Sequence, residues 1–417
     1  MGNASNLNES SGAAAAATAR SAPHQAAGSP DAQPPGHRAL AACFAMLLAA
    51  GLTFGALSLA GMLRDWRAPP AHAWLDGTAE ATLSRALKLP YDSTLRTFDA
   101  SWRYRLLGDQ GPQVTQGCPG WLFYRDGLQA SAQAEDAYAA RLHLLGYYAQ
   151  AVHSRGAQLL VVTVPDKARI ESAALCGVTQ DKTLQARLDR WQGALAAANL
   201  AHVDLRVPLS AVRPAAFYRT DVHWNERGAE AAAAPVAAAA LALLGEHGKQ
   251  TFSTTVAGSP QPRLGDLIVL AGLEHAPDAW RPAPDLYVPV TLRPVHSGGL
   301  LDDTPPAEVM MVGSSFSRRS NFTERVGEKL GREIWNRSVD GGQFSNALQS
   351  ALDDREPWPA SLHLVIWELS EQALSSPLSD AERQALTKFD ALHRSVPPVA
   401  AEESVLLPAT PFRNHHG

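Results

Sequence analysis

From Ala39 to Leu63 the chain reads "ALAACFAMLLAAGLTFGALSLAGML", with no charged residue, and Arg38 and Arg64 bracket the run. Such a stretch must either be buried entirely in protein or find an apolar solvent, and it is long enough to cross a bilayer as a helix. It begins too late and runs too long for the apolar region of a cleaved signal peptide. A single transmembrane helix over 38–64 is therefore expected, with membrane contact through 39–63. Residues 1–37 are rich in Ala, Ser, Pro, Gly and Asn, a composition that cannot bury enough surface to fold, and are expected to be disordered. Arg20 and Arg38 before the span and Arg64 and Arg67 after it leave the orientation undecided by charge.

The rest of the chain excludes several classes of function. A formal net charge of -5 without any arginine-rich run argues against a nucleic-acid partner. No C-x-x-C and no H-E-x-x-H occurs, so neither a metal nor another cofactor is expected. Cys43 falls in the span, leaving Cys118 and Cys176 in the remainder. One disulfide in an oxidising compartment and two buried thiols both fit that pair.

Beyond a Pro-containing stem, 65–116, helical and strand periods alternate. Leu142, Leu145, Ala149 and Val152 recur at helical spacing before the β-rich "QLLVVTV", Gln158 to Val164. Leu184, Leu188, Trp191 and Leu195 predict a second helix, "AHVDL" a short strand, and Glu226 to Leu244 an alanine-rich helix kinked at Pro235. Residues 245–305 carry many Pro and Gly and read as an insertion of loops and some strand. "EVMMV", Glu308 to Val312, predicts a buried strand, and Phe322, Val326 and Leu330 the helix after it. A strand near Ile334, a helix from about Phe344 and the strand "LHLVIWEL" complete the series. Strands alternating with helices imply an α/β fold, a mainly parallel sheet flanked by helices. The segment 117–372 is expected to form this domain, and 373–417 a C-terminal tail without a motif.

Two segments carry chemistry. "FYRTDVHWNERGAE", Phe217 to Glu230, holds Asp221 and His223 two residues apart just before a helix. In an extended segment such a pair shares one face, where a carboxylate fixes the tautomer of a histidine and stabilises its imidazolium. The pair gains meaning only with a serine to activate. Immediately after "EVMMV" comes "GSSFSRRSNF": a glycine, then serines where a strand gives way to a helix, the turn on which α/β proteins expose a nucleophile. Ser315 is the expected nucleophile, with Ser314 and Ser317 as competitors and helix capping as the alternative role for all three. The order Asp, His, Ser and the missing last glycine of G-x-S-x-G fit an ordinary α/β-hydrolase poorly.

Six segments, in order, resemble the AlgJ/AlgX-type polysaccharide O-acetyltransferases, which carry an SGNH-hydrolase-like domain: "GCPGWLFYRDG", "VPDKARI", "YRTDVHWNERG", "LGDL", "VGSSFS" and "VIWELSE". The resemblance covers about residues 75–372. It implies an SGNH-hydrolase-like sheet with an N-terminal transmembrane helix, and a triad of Ser315, His223 and Asp221. It also implies that Gly341 and Gly342 supply the oxyanion hole beside the Ser315 amide, that Asn346 is a side-chain donor, and that Lys167 and Trp224 shape the pocket. Arg318, with Arg319, is expected to bring positive charge near it. Two departures stand out: Ser314 replaces the acid of the Gly-Asp-Ser of SGNH hydrolases, and Gln372 stands where relatives often have arginine.

The activity so implied is O-acetyl transfer through an acyl-serine to hydroxyls of an exported polysaccharide such as alginate. The implied partners are that polysaccharide, a membrane-bound acyltransferase that supplies acetyl groups, and other polysaccharide-export components. The implied location is the inner membrane, single-pass with N-terminus inside and the catalytic domain in the periplasm. An acetyl esterase would use the same triad, and a non-catalytic polysaccharide-binding scaffold would keep the same fold.

Overall fold

The computed structural model describes residues 35–64, 92–296 and 307–395. Of the segment 1–37 expected to be disordered, residues 1–34 lie outside the described residues, as do 65–91 of the expected stem, 297–305 of the expected insertion and 396–417 of the expected tail, whereas Pro35–His37 begin a helix. The chain divides into two units, Met1–Asp92 and Ser93–Gly417.

In the first unit, α1 (Pro35–Arg64) is one continuous helix. Its stretch Arg38–Gly61 has a mean hydropathy of 2.1 and is not buried by protein. Leu40, Phe44 and Leu47 each leave about two thirds or more of their surface free. At 1.5 Å per residue the span reaches about 36 Å, enough for a hydrocarbon core of about 30 Å.

The second unit is built on a five-stranded parallel sheet. Its strands are β3 (Gln158–Val164), β4 (Ala201–Asp204), β9 (Val309–Val312), β10 (Ile334–Asn336) and β11 (Leu364–Ser370), in the order β10-β9-β11-β3-β4. Every residue of β9 is buried, as the uninterrupted apolar run predicts for a strand covered on both faces. Successive side chains alternate between two cores. Leu159, Val161, Met310, Val312, Val365 and Trp367 pack under α3 (Ala134–His153), α4 (Lys182–Ala197) and α9 (Asn346–Leu352). Leu160, Val162, Val309, Met311, Leu364 and Ile366 pack under α5 (Glu226–Leu244) and α8 (Phe322–Leu330). Helix α5 is apolar enough to resemble a membrane span, yet Ala229, Ala232, Ala233, Val236 and Ala237 are buried on the sheet, so it is a core helix. It continues through Pro235.

The insertion forms two antiparallel pairs. β5 (Phe252–Val256) pairs with β8 (Val290–Pro294), and β6 (Gln261–Arg263) with β7 (Asp285–Tyr287). Between them lies the short α6 (Asp266–Leu270). Before the sheet, α2 (Asp92–Trp102) leads to a hairpin of β1 (Val114–Gln116) and β2 (Leu122–Tyr124). Its loop is tied by a Cys118–Cys176 disulfide, which resolves the choice the sequence left open.

Part of what the sequence left as a motif-free tail is a structural element. Helix α10 (Asp380–Ser395) brings Glu382 against Arg141 of α3, and both side chains are fully buried. The guanidinium meets both carboxylate oxygens, at 2.8 and 3.1 Å, and also donates to the Ser376 and Pro377 carbonyls.

Candidate active site

Three chain segments leave the C-terminal ends of adjacent strands and meet over one cleft of about 800 Å³, the end of a parallel sheet where α/β proteins bind their ligands. After β3 come Pro165, Asp166 and Lys167; after β9, Ser314 and Ser315; after β11, Gln372. His223, Asp266, Gly341 and Gly342 complete the part of the wall nearest Ser315.

Asp221 and His223 are not on a strand. A single antiparallel bridge between Phe217 and Trp224 closes a tight loop around them. Asp221 Oδ1 accepts from both the His223 backbone amide, at 3.0 Å, and the His223 Nδ1, at 2.6 Å. The two groups meet because the carboxylate closes a local turn, not because side chains alternate along an extended segment. Asn225 then caps α5, its side chain accepting from the Arg227 and Gly228 amides.

Since an ionised carboxylate only accepts, Nδ1 carries the proton and the neutral ring offers Nε2 as acceptor. The Ser315 hydroxyl lies 2.7 Å from that nitrogen. Ser315 is the first residue of α7 (Ser315–Arg318), and Ser314 caps it by accepting from the Phe316 amide. First-turn amides have no intrahelical acceptor, which leaves the Ser315 N–H available to a ligand.

The electrostatics favour a protonatable histidine. Burial alone pushes the His223 imidazolium down, but hydrogen bonds and charges from Asp221 and then Asp266 outweigh it, so its pKa is raised above the ordinary value. Asp266 Oδ2 lies 3.3 Å from Nδ1. Burial raises Asp221, yet the His223 hydrogen bond and the charges of His223 and Arg263 hold it well below the usual carboxylate range. The Arg263 guanidinium donates to Asp221 Oδ2 at 2.7 Å. Asp221, His223 and Asp266 stand close enough to suggest a metal site, but the Nδ1 proton and Arg263 occupy the positions a cation would need.

The other expected residues fall in different places. Gly341 and Gly342 line the cleft, but the Gly342 amide donates to the Val339 carbonyl at 3.1 Å, so it is already committed. Gly342 serves by close approach: a Cβ there would sit 2.7 Å from the Gly313 carbonyl oxygen. Lys167 lines the cleft with its stem, while its ammonium donates to the carbonyls of Leu122, Arg219 and Asp221 at 2.7, 2.8 and 3.0 Å. Burial pushes its pKa down to about 7, whereas three acceptors require the three donors of the protonated form. Trp224 is fully buried between Phe316 and Phe322 and does not reach the cleft. Arg318 is exposed and pairs with Asp340. Asn346, at the start of α9, accepts from Ser379 and does not line the cleft.

Sequence reasoning missed Arg263, Asp266 and Glu368. The first two come from the insertion, which has no readable period, although "LGDL" marked the place of Asp266. Glu368 had a signal of its own, an acid inside the apolar run of β11. It supplies the acidic neighbour that "GSSFS" lacks, since its carboxylate accepts from the Ser314 amide at 2.7 Å.

With the fold and geometry in hand, comparisons place the chain. The family described as "SGNH hydrolase-like domain, acetyltransferase AlgX" matches residues 114–371. The chain is similar to the probable alginate O-acetylase AlgJ of Pseudomonas putida, 28% identical over 75% of this chain and 82% of that one. The corresponding protein of Pseudomonas aeruginosa is 28% identical over 70% of this chain and 76% of its own. The solved O-acetyltransferase domain of Pseudomonas putida AlgJ superposes with a TM-score of 0.60 at 26% identity, covering 68% of this chain and 100% of that one. A parallel sheet with its site at the strand ends, a family match across residues 114–371 and relatives along most of the chain agree: this protein belongs to the AlgX family of acetyltransferases with an SGNH hydrolase-like domain.

Proposed function

We propose that Ser315, His223 and Asp221 carry O-acetyl transfer to hydroxyls of an exported polysaccharide. The observation that carries the reading is the continuous chain of two short hydrogen bonds, Ser315 Oγ to His223 Nε2 at 2.7 Å and His223 Nδ1 to Asp221 at 2.6 Å, opening on the cleft. His223 takes the Ser315 proton as Oγ attacks the carbonyl of an acetyl donor. The oxyanion faces the Ser315 amide, and the leaving group departs with the proton from His223. A sugar hydroxyl then gives its proton to His223 as its oxygen attacks the acetyl-serine, and His223 passes that proton to the departing Oγ, releasing the sugar ester and restoring Ser315.

Helix α1 would anchor the enzyme in the inner membrane, and the Cys118–Cys176 disulfide suits a periplasmic domain, fed with acetyl groups by a membrane-bound acyltransferase. The names of the relatives make alginate the first polymer to test. The full chain in detergent micelles, with Ser315→Ala as control, is given a small activated acetyl ester and oligomers of mannuronate or of a neutral glucan. Mass spectrometry is expected to find acetyl on one oligomer class with the native chain, and at least about a thousandfold less with the variant. Acetate without acetylated sugar would make the protein an esterase, and no turnover would make it a scaffold.

A further inference from the structure

Glu368 is the last inward-facing residue of an apolar row. Along β11, Leu364 and Ile366 point into the α5/α8 core, and Glu368 follows on the same face, 1% exposed. A carboxylate so deep is costly unless hydrogen bonds replace its water. Its hydrogen-bond donors come from the turn that carries Ser315. The Ser314 amide donates at 2.7 Å, the Ser314 hydroxyl at 3.0 Å to each oxygen, and the Ser317 hydroxyl at 2.9 Å. The grip is tight enough to fix a residue type: a Cβ on Gly313 would lie 2.5 Å from Glu368 Oε2. The Ser314 hydroxyl passes the constraint on, accepting from the Phe316 amide at 3.2 Å. Ser315 is therefore held on both sides, its preceding amide and its following amide tied to one carboxylate, directly and through one hydroxyl.

We propose that Glu368 is a positioning residue for acyl transfer, its carboxylate fixing the Ser314–Ser317 turn so that the Ser315 hydroxyl and amide keep the geometry of attack. The proposal rests on the reading of Ser315 as nucleophile. None of the bonds reaches the imidazole, so Glu368 acts on the placement of the serine and not on the basicity of His223. In Glu368→Gln an amide oxygen can take the place of Oε2, but the charge that strengthens the bonds to Ser314 and Ser317 is lost, so the same volume holds the turn more loosely. A displacement well under 1 Å at the nucleophile is expected to slow reaction about tenfold or more.

The test uses the full chain in detergent micelles and a serine-directed sulfonyl fluoride, with the modified peptide mapped by mass spectrometry. Native protein modified elsewhere than Ser315 would remove the reading on which the proposal stands. With Ser315 modified, Glu368→Gln is expected to react about tenfold more slowly per active site. Its kcat for the activated acetyl ester should fall in parallel, KM should stay within about twofold, and the acid limb of the pH profile should not move. Ser317→Ala removes one donor without touching the backbone, is expected to slow modification by about threefold, and carries the test if Glu368→Gln fails to fold. A purely structural role would lower the number of active sites and leave the rate at each unchanged; that result in both variants overturns the proposal.

Discussion

Two carboxylates approach the Nδ1 edge of His223, at 2.6 Å for Asp221 and 3.3 Å for Asp266. Asp221 is the stronger partner, nearer and buried, while Asp266 is partly open to the cleft. In the proposed reaction His223 works as the neutral base, so activity should rise with pH as the ring loses its proton, and both carboxylates delay that loss. Asp266→Asn removes a hydrogen bond and a charge that raise the pKa, so the acid limb of kcat/KM should move to lower pH. A pH profile of native and variant enzyme with the activated ester checks this, and an unmoved limb would mean that Asp266 does not act on the histidine. The residue types of the site were legible in the sequence because serine, histidine and aspartate in these contexts have a specific chemistry. What was not legible is how each is held. Asp-x-His suggested alternating side chains, but the geometry comes from a carboxylate that caps its own loop, and Arg263 and Asp266 arrive from a region without periodicity.

Among the elements, α10 shows why apolar pattern alone under-reads a chain. Its sequence is mostly polar, yet Ala385 and Leu386 pack on the core, Phe389 lies edge-on to Tyr147, and the fully buried Arg141–Glu382 pair fixes the helix beside them. Breaking one side of a buried pair leaves the other charge uncompensated and costs about 3–5 kcal/mol. Glu382→Gln should therefore lower the urea midpoint of unfolding with little change in slope. Replacing both members by apolar residues, Arg141→Met with Glu382→Leu, should recover much of the loss, because no orphaned charge remains. The strands were readable because each is a short apolar run ended by glycine, proline or a polar turn. Their order in the sheet was not, since it depends on which edges remain unpaired after the rest has assembled.

For the molecule as a whole, the disulfide is the covalent link between the β1–β2 hairpin and the segment after β3. It closes a loop of sequence separation 58, and such a closure stabilises by about 2–4 kcal/mol. Unfolding of the native chain with and without reductant, beside Cys118→Ser, should show that difference, and identical curves would mean the bond constrains nothing. The order β10-β9-β11-β3-β4 has a consequence in time. β11 is the last of these strands in the chain yet lies at the centre, between β9 and β3. A chain delivered from its N-terminus can assemble only two half-sheets, β3 with β4 and β9 with β10, until residue 370 has emerged. The same late strand brings Glu368 to the turn of Ser315. A partly delivered molecule thus lacks both its central strand and the carboxylate that fixes its serine turn, and that turn is secured only with nearly the last of the fold.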